Sequence, residues 1–506
     1  MDSGKVFVGS KASRGHERAI DSTAPTETSP LLPPVACPVD EEEDTCKDSI
    51  YADIGPLIKT RNDWQREAKV IVASSAPLII TFLLQYSVDA LSLIAAGRVG
   101  TLELGAVSLA NMSAAITCFA PIQGLATSLD TLCAQAYGSG RKHLIGLYCQ
   151  RMTLFLLCHL VPVSVLWFYS ESILVHLVAD AESARLGALY LQILICAVPG
   201  YIAFETGKRF LQAQGLFRAT TYILLLAAPC HVVLLCVLVG RLGFIGAPIA
   251  IVLTRTLLPI LLIVYVKFVD GSECWPGLTK RVFANWKPMI RLAVPGMVMV
   301  EAEYLAFEVM IIASSRFGTE YLAAQSILAA IATISFQVPF SVSIAASTRV
   351  ASLIGAGLVD TARVAAKVAI TTTCITGFLN LIVYLVLRAQ LPFIFTDDPT
   401  VAALTSRVLP LLSAAALLEG LAATAHGLLR GIGRQSIGGP VTISAYYLVA
   451  LPTSLAMAFA LDWKLQGLIS GLIIGLAVVS LIEYAYLNWT DWQKTADEAA
   501  SRNALG

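Results

Sequence analysis

Twelve long apolar segments limit what this 506-residue chain can fold into. A helix needs about 20 apolar residues to cross a bilayer, and only helices or closed barrels satisfy their backbone polar groups there. These segments are too long and too uniformly apolar for barrel strands. The sequence therefore predicts an all-α integral membrane protein with twelve transmembrane helices. Their approximate spans are 70–94, 104–128, 149–169, 187–206, 219–240, 245–267, 289–313, 321–346, 363–387, 401–424, 439–460 and 466–488.

The composition agrees with a protein whose main partner is the lipid bilayer. Hydrophobic residues make up 56% of the chain, charged residues 14%, and the mean hydropathy is +0.72. The formal net charge is zero, so no basic surface points to a nucleic-acid partner. The eleven cysteines form no CxxC pair, which favours buried free thiols over a metal site or a disulfide framework.

Lysine and arginine predict how the chain crosses the membrane. Sixteen of them lie in the connections that follow even-numbered segments, and seven in those that follow odd-numbered segments. Positive charge is enriched in cytoplasmic loops, so both termini are predicted to be cytoplasmic. In the polar N-terminal tail, Glu27 to Leu32 (ETSPLL) is similar to an acidic dileucine sorting signal. We therefore expect a plasma-membrane or vacuolar location.

The two halves of the chain repeat one another. Pro77 corresponds to Pro295 and Pro121 to Pro339, both at an offset of 218 residues (339 − 121 = 218). Because each half has an even number of helices, the halves have the same orientation, as in the parallel repeats of some secondary transporters. The sequence predicts two pseudo-symmetric six-helix lobes.

This division predicts five parts. They are a disordered cytoplasmic tail (1–68), an N-terminal lobe (69–268), a cytoplasmic linker (269–287), a C-terminal lobe (288–489) and a cytoplasmic C-terminal tail (490–506). No apolar run lies near Met1, so no cleavable signal peptide is expected.

The seventh segment carries three carboxylates, Glu301, Glu303 and Glu308. A charge near the bilayer centre costs at least about 2.5 kcal/mol, so an intramembrane acid is a functional candidate. Desolvation and neighbouring carboxylates both favour the protonated form of a carboxyl group, which suits proton exchange. Glu301 and Glu308 are about 700° apart around a helix and share a face, whereas Glu303 lies about 140° from Glu308. Spacing alone thus favours Glu301 with Glu308.

Other polar residues in apolar segments are further candidates. Glu419 lies deep in segment ten, Asp89 in segment one and Arg255 in segment six. An intramembrane cation needs a partner, and we predict that Arg255 pairs with Asp89. The alternatives for Arg255 are contact with an anionic substrate or snorkelling towards the membrane surface.

Gln85, Tyr304 and Phe307 suit a cavity for flat organic solutes, although single aromatic residues equally serve packing. Glu205 precedes Lys208 and Arg209 by three and four residues, which predicts a surface ion pair.

Glycines mark close packing and chain turns. Gly467, Gly471 and Gly475 form a ridge at spacing four, typical of close helix packing. Other glycines fall at predicted cytoplasmic helix ends, where they permit tight turns or hinges: Gly138, Gly140, Gly355, Gly357, Gly431 and Gly433.

Several stretches resemble the multidrug and toxic compound extrusion (MATE) family, especially its eukaryotic branch. The resemblance covers about residues 70–488, and the long N-terminal tail is similar to that of fungal members. It rests on the Pro295-to-Glu308 pattern together with GTLEL (100–104), LCAQAYG (132–138), FLQAQG (210–215), GLLRGIGRQ (427–435) and AYYLVALP (445–452).

The resemblance implies a two-lobe antiporter that exports organic, often cationic or aromatic solutes in exchange for protons, or less expectedly sodium. It needs no cofactor beyond the ion gradient and is expected to be a monomer. The acid pair of the family's seventh helix falls on Glu303 and Glu308, and the acid of its tenth helix on Glu419. The first-helix Asp of bacterial relatives falls on Ser92, one turn after Asp89.

Other functions are less well supported by the sequence. A lipid-linked-precursor flippase would use a related fold with a wide lateral opening. An intramembrane enzyme would carry clustered motifs, but HExxH and GxSxG are absent. A membrane sensor would carry a large soluble signalling domain.

Overall fold

The structure of the chain, a computed structural model, describes residues 63–177 and 180–504. Within these ranges every regular element is helical, which confirms the predicted all-α class. Most of the predicted N-terminal tail, including the ETSPLL motif, lies outside the described residues. The first helix within the described residues spans Asp63–Val99, so it includes the end of the stretch predicted as tail.

Twelve long helices make up the two lobes. Those of the N-terminal lobe are α1 (Asp63–Val99), α2 (Leu102–Gly138), α3 (His143–Phe168), α4 (Ala181–Ala213), α5 (Phe217–Leu242) and α6 (Gly246–Phe268). Those of the C-terminal lobe are α7 (Lys287–Ser314), α8 (Thr319–Gly355), α9 (Val359–Leu387), α10 (Pro399–Gly431), α11 (Gln435–Ala460) and α12 (Lys464–Trp489).

Ten described stretches are long and apolar enough to cross a membrane. One of them, Phe217–Phe268, contains both α5 and α6, which meet at Gly243. The remaining long helix, α7, is the one that carries the three glutamates. Together these helices match the twelve predicted spans.

Besides the twelve long helices, a short helix spans Ser170–Leu177, and a further helix, α13 (Trp492–Ala504), occupies the predicted C-terminal tail. Its buried residues Trp492, Ala496, Ala499 and Asn503 recur every three or four positions and so form one face. That face packs against the ends of the lobes, with Trp492 and Ala499 in the same apolar cluster as residues of α8 and α10.

The repeat is visible in the turns between helices. Gly140 and Gly357 have φ values of 78° and 74°, and Gly215 and Gly433 have 83° and 72°. This left-handed conformation is readily adopted only by glycine, so equivalent turns follow α2 and α8, and α4 and α10. The predicted turn role of Gly140, Gly357 and Gly433 is confirmed, and Gly215 occupies a turn that the sequence analysis did not predict.

The lobes approach closely where α2 and α8 end. A Cβ atom added to Gly138 would overlap the carbonyl oxygen of Ser352, and one added to Gly355 would overlap that of Gln135. The two contacts are equivalent under the repeat, since an offset of 217 residues relates Gln135 to Ser352 and Gly138 to Gly355 (352 − 135 = 217 and 355 − 138 = 217). Gly138 and Gly355 therefore permit close packing between lobes rather than forming turns.

Polar contacts reinforce this junction, which we call the closed end. The Thr131 hydroxyl donates to the carbonyl oxygen of Arg430 (2.6 Å), and the Gln135 amide donates to that of Gly431 (3.1 Å). Arg349 donates two hydrogen bonds of 2.7 Å to the carboxylate of Glu67. These contacts join α1 and α2 to α8 and α10 on one side of the molecule.

The chain between the lobes packs on the N-terminal lobe. Lys142 pairs with Glu273 at 2.6 Å, and the Gln150 amide donates to the carbonyl oxygen of Gly277 at 2.8 Å. In the C-terminal lobe, Gly467 and Gly471 lie against the backbone of α11 at Ala458 and Ser454. The predicted close packing of this glycine ridge is confirmed.

Candidate functional site

A cavity of about 600 Å³ lies between the two lobes. Helices α1, α2, α4 and α6 supply its wall on one side, and α7, α8, α10 and α12 on the other. Eight of the nine candidates from the sequence line it: Gln85, Asp89, Arg255, Glu303, Tyr304, Phe307, Glu308 and Glu419. The exception is Glu301.

The cavity-facing side of α7 explains which glutamates line the cavity. Its lining residues run from Gly296 to Ile311 and cover an arc of about 180°. Glu303 lies within this arc and Glu308 at one edge of it. Glu301 is on the same side of the helix as Glu308 but just beyond that edge, and its buried Oε2 atom has no hydrogen-bond partner. Glu301 and Glu308 thus share a side of the helix, as their spacing predicts, but the cavity wall carries Glu303 and Glu308 and not Glu301.

Arg255 and Asp89 form the ion pair predicted from the sequence. Their Nη2 and Oδ1 atoms are 3.0 Å apart. The guanidinium also contacts the rings of Phe119 and Tyr201, 4.7 and 4.6 Å from their centroids. Arg255 is therefore held inside the N-terminal lobe by charge and by cation–π contacts rather than extending to the membrane surface.

The ion pair predicted at the end of α4 forms, but it is buried and not on the surface. Glu205 contacts Lys208 at 2.6 Å and Arg209 at 2.5 Å, as its spacing predicts, but all three side chains are buried. The pair is not on the surface because this face of α4 lines the cavity. Arg209 also contacts Asp130 of α2 at 3.2 Å, a residue that the sequence analysis missed.

This cluster of charges extends to the opposite lobe. The Nε atom of Arg430 on α10 lies 4.0 Å from the Oδ2 atom of Asp130, so Asp130 faces a cation from each lobe. The Lys208 ammonium donates to the side-chain Oε1 atom of Gln85 at 3.5 Å, which places Gln85 at the edge of the same cluster.

A second missed group lies in the C-terminal lobe. His426 of α10 lines the cavity, and its Nε2 atom is 3.3 Å from the Oε1 atom of Glu483 on α12. Glu483 is completely buried. Glu483 stands inside the predicted segment 466–488 and His426 two residues after the segment 401–424, so the rule that flagged the glutamates of α7 would have found Glu483.

Aromatic and hydroxyl groups complete the C-terminal wall. The Tyr446 hydroxyl donates to the Oε1 atom of Glu303 at 3.4 Å. Tyr304 and Phe307 line the cavity on α7, and Phe340 of α8 meets Phe82 of α1 at 5.1 Å across the lobes. The cavity thus offers carboxylates next to flat apolar surfaces.

Comparison with known proteins identifies the fold and the repeat. The MatE family model matches residues 77–237 and 295–455, once in each lobe. The chain belongs to the MATE family. The two matches start 218 residues apart (295 − 77 = 218), which confirms the predicted repeat and its offset.

Relatives occur in fungi and animals. The chain is 39% identical over 445 residues to the Saccharomyces cerevisiae "Uncharacterized transporter YDR338C", covering 87% of this chain and 64% of that protein. It is 31% identical to mouse "Multidrug and toxin extrusion protein 2", covering 88% of this chain and 78% of the relative. The crystal structure of the eukaryotic MATE transporter AtDTX14 superposes with a TM-score of 0.82 at 30% identity, over 87% of this chain and all of that one.

These findings establish the broad class of the protein. It is a MATE family transporter with a multi-pass membrane fold, and it has fungal relatives. Both the family and the fold are those of transporters, not of enzymes.

Proposed function

We propose that this chain exports small organic compounds in exchange for protons by alternating access between its lobes. The observation that carries the proposal is the placement of Glu303, Glu308 and Glu419 on one wall of a cavity that is shut at one end. A proton-coupled exporter needs acids that alternate between a proton and the substrate, and these acids stand where both can reach them.

The balance of charges supports a role for the C-terminal lobe in coupling. In the N-terminal lobe, Asp89, Asp130 and Glu205 each contact a cation at 3.2 Å or less. Such contacts stabilise the charged form of a carboxyl group. Glu303 instead accepts a hydrogen bond from a neutral tyrosine hydroxyl. The acids of the C-terminal wall are thus better suited to gain and lose protons.

The cavity chemistry favours substrates that are flat, aromatic and often cationic. Aromatic faces attract cations, and Tyr304 and Phe307 flank the acids of α7. The name of the mouse relative also points to extrusion of drugs and toxins. The substrate of this chain would be a xenobiotic or a metabolite made by the cell.

The direction of transport follows from the predicted orientation. If both termini are cytoplasmic, the closed end faces the cytoplasm and the cavity faces the outside or the vacuolar lumen. Protons entering from that side would displace substrate and favour return to the state open to the cytoplasm. Each proton moving across 100 mV contributes about 2.3 kcal/mol.

Transport by the purified protein in lipid vesicles tests the proposal. Imposed pH and sodium gradients are compared across a panel of cationic and anionic aromatic compounds. We expect a pH gradient to drive uptake and Glu308→Gln to abolish it without loss of folded protein. Glu301→Gln is the matched control, because Glu301 is on the same helix outside the cavity, and we expect it to retain transport. Normal pH-driven transport by Glu308→Gln, or driving by sodium alone, would refute proton coupling through this site.

A further inference from the structure

His426 and Glu483 form an ionisable pair that the proposed coupling acids do not include. Their side chains approach to 3.3 Å, between Nε2 and Oε1. His426 lines the cavity, whereas Glu483 lies behind the wall with no exposed surface. The pair therefore connects the cavity with the buried interior of the C-terminal lobe.

A comparison with the Glu67–Arg349 pair argues against a purely structural role. In that pair, the arginine donates two hydrogen bonds of 2.7 Å to one carboxylate. The carboxylate oxygens of Glu483 accept no hydrogen bond of good geometry among the described residues, although His426 is near. Burying a charge is costly unless it is paired and hydrogen-bonded. A histidine partner, unlike arginine, also changes its charge near neutral pH.

The direction of the helices places this pair on the path to the closed end. Helix α7 runs away from the closed end, so Glu303 lies about 7.5 Å nearer to it than Glu308. Helix α10 runs towards it, so His426 lies about 10 Å nearer than Glu419. Glu483 is in the last two turns of α12, which also ends on that side. Going towards the closed end, Glu308 and Glu419 come first, Glu303 follows, and His426 and Glu483 are the nearest to that end.

The surroundings of the pair allow a proton to arrive from the cavity. Besides Glu483, the charged groups that act on His426 are Glu303 of α7 and Arg430 of its own helix. Helix α11 contributes the Thr442 hydroxyl, 3.3 Å from Nε2 of His426, and the Tyr446 hydroxyl on Glu303. Glu303 and His426 both line the cavity, so water in the cavity can connect them.

We propose that His426 and Glu483 form the inner proton station of this transporter, which receives the proton from Glu303 and releases it at the closed end when that end opens. This inference rests on the proton coupling proposed above. In the transfer, Glu303 loses a proton and becomes a carboxylate, and the imidazole of His426 becomes an imidazolium beside the Glu483 carboxylate. Release of that proton to water at the closed end restores the neutral imidazole. Glu483 acts by stabilising the imidazolium and is a positioning residue.

Two assays on the purified protein in lipid vesicles test the proposal. The first measures uphill transport driven by a pH gradient, and the second measures exchange of labelled for unlabelled substrate at equal pH. We expect Glu483→Gln to reduce uphill transport at least tenfold and to keep exchange within twofold of the native rate, because exchange needs no net proton release. Ser480→Ala, one turn away on the same helix and buried, is the matched control and should leave both rates unchanged.

Further variants keep the test decisive. Glu483→Met replaces the buried acid by an apolar side chain of similar size and gives the answer if Glu483→Gln does not fold. His426→Asn should also reduce uphill transport, and adding Glu483→Gln to it should cause no further loss. Native uphill transport by both Glu483 variants, or an equal loss of uphill transport and exchange, would overturn the proposal. Absence of pH-driven transport in the native protein would instead refute the proposed function.

Discussion

Acidic side chains of α1 differ in how well a partner compensates their charge. The carboxylate of Glu67 is 1% exposed and receives two hydrogen bonds from Arg349. The side chain of Asp89 is 53% exposed to the cavity and has a single contact with Arg255. These two pairs should therefore contribute very differently to stability, although both join an acid of α1 to an arginine.

We predict that Glu67→Gln destabilises the protein more than Asp89→Asn. Breaking a buried ion pair by removing one partner costs about 3–5 kcal/mol, and Glu67→Gln removes the carboxylate that accepts both 2.7 Å hydrogen bonds from Arg349. After Asp89→Asn, Arg255 still contacts the rings of Phe119 and Tyr201, and water screens much of the lost attraction. Thermal unfolding of the detergent-solubilised variants measures the difference. An equal drop in melting temperature for the two variants would contradict it.

Prediction from the sequence succeeded where a charge stood alone in an apolar segment. Asp89 and Arg255 each needed a partner, and the structure pairs them. The spacing of Glu205 with Arg209 predicted the contact but not its burial, because the same spacing occurs on exposed and buried helix faces. His426 and Glu483 are 57 residues apart (483 − 426) on different helices, so no local pattern marks their contact.

At the scale of helices, α13 connects the two lobes at the closed end. Arg502 donates to the side-chain oxygen of Gln135 at 3.0 Å, and Asn503 donates to the backbone carbonyl oxygen of Gln135 at 3.3 Å, both on α2. On the other side, Glu498 pairs with Arg434, just after α10, at 3.0 Å. The sequence predicted only a cytoplasmic tail here, because the spacing of a few buried residues is all that marks the helix face.

We predict that deleting residues 491–506 loosens the closed end. The deletion removes the contacts of Arg502 and Asn503 with α2 without touching the cavity wall. Spin labels at His143 and Asp360, both exposed and equivalent under the repeat, report the separation of the lobes by electron paramagnetic resonance once native cysteines are replaced. We expect a longer and broader distance distribution. Gln493→Ala serves as the control, and an unchanged distribution in the truncated protein would show that α13 does not hold the lobes together.

At the scale of the whole molecule, the repeat creates a two-fold arrangement at the closed end. Gly138 meets Ser352 while Gly355 meets Gln135, so the same pair of positions is used twice. The sequence revealed the repeated glycines and suggested turns or hinges. It did not reveal that two of them lie against the opposite lobe, because which surfaces of the lobes meet depends on the packing of all twelve helices.

This arrangement predicts that Gly138→Ala and Gly355→Ala shift the protein towards the state open at the closed end. Each added methyl group would overlap backbone of the other lobe, which cannot move aside as a flexible side chain would. The open state does not make these contacts, so its population should rise, and the double variant should show the larger shift. The labels at His143 and Asp360 measure it as a growing long-distance fraction. Gly105→Ala on α2 is the control, since its methyl group would meet no atom within 4 Å. If the two single variants and the double variant all gave the native distribution, the contacts of Gly138 and Gly355 would not determine how tightly the lobes close.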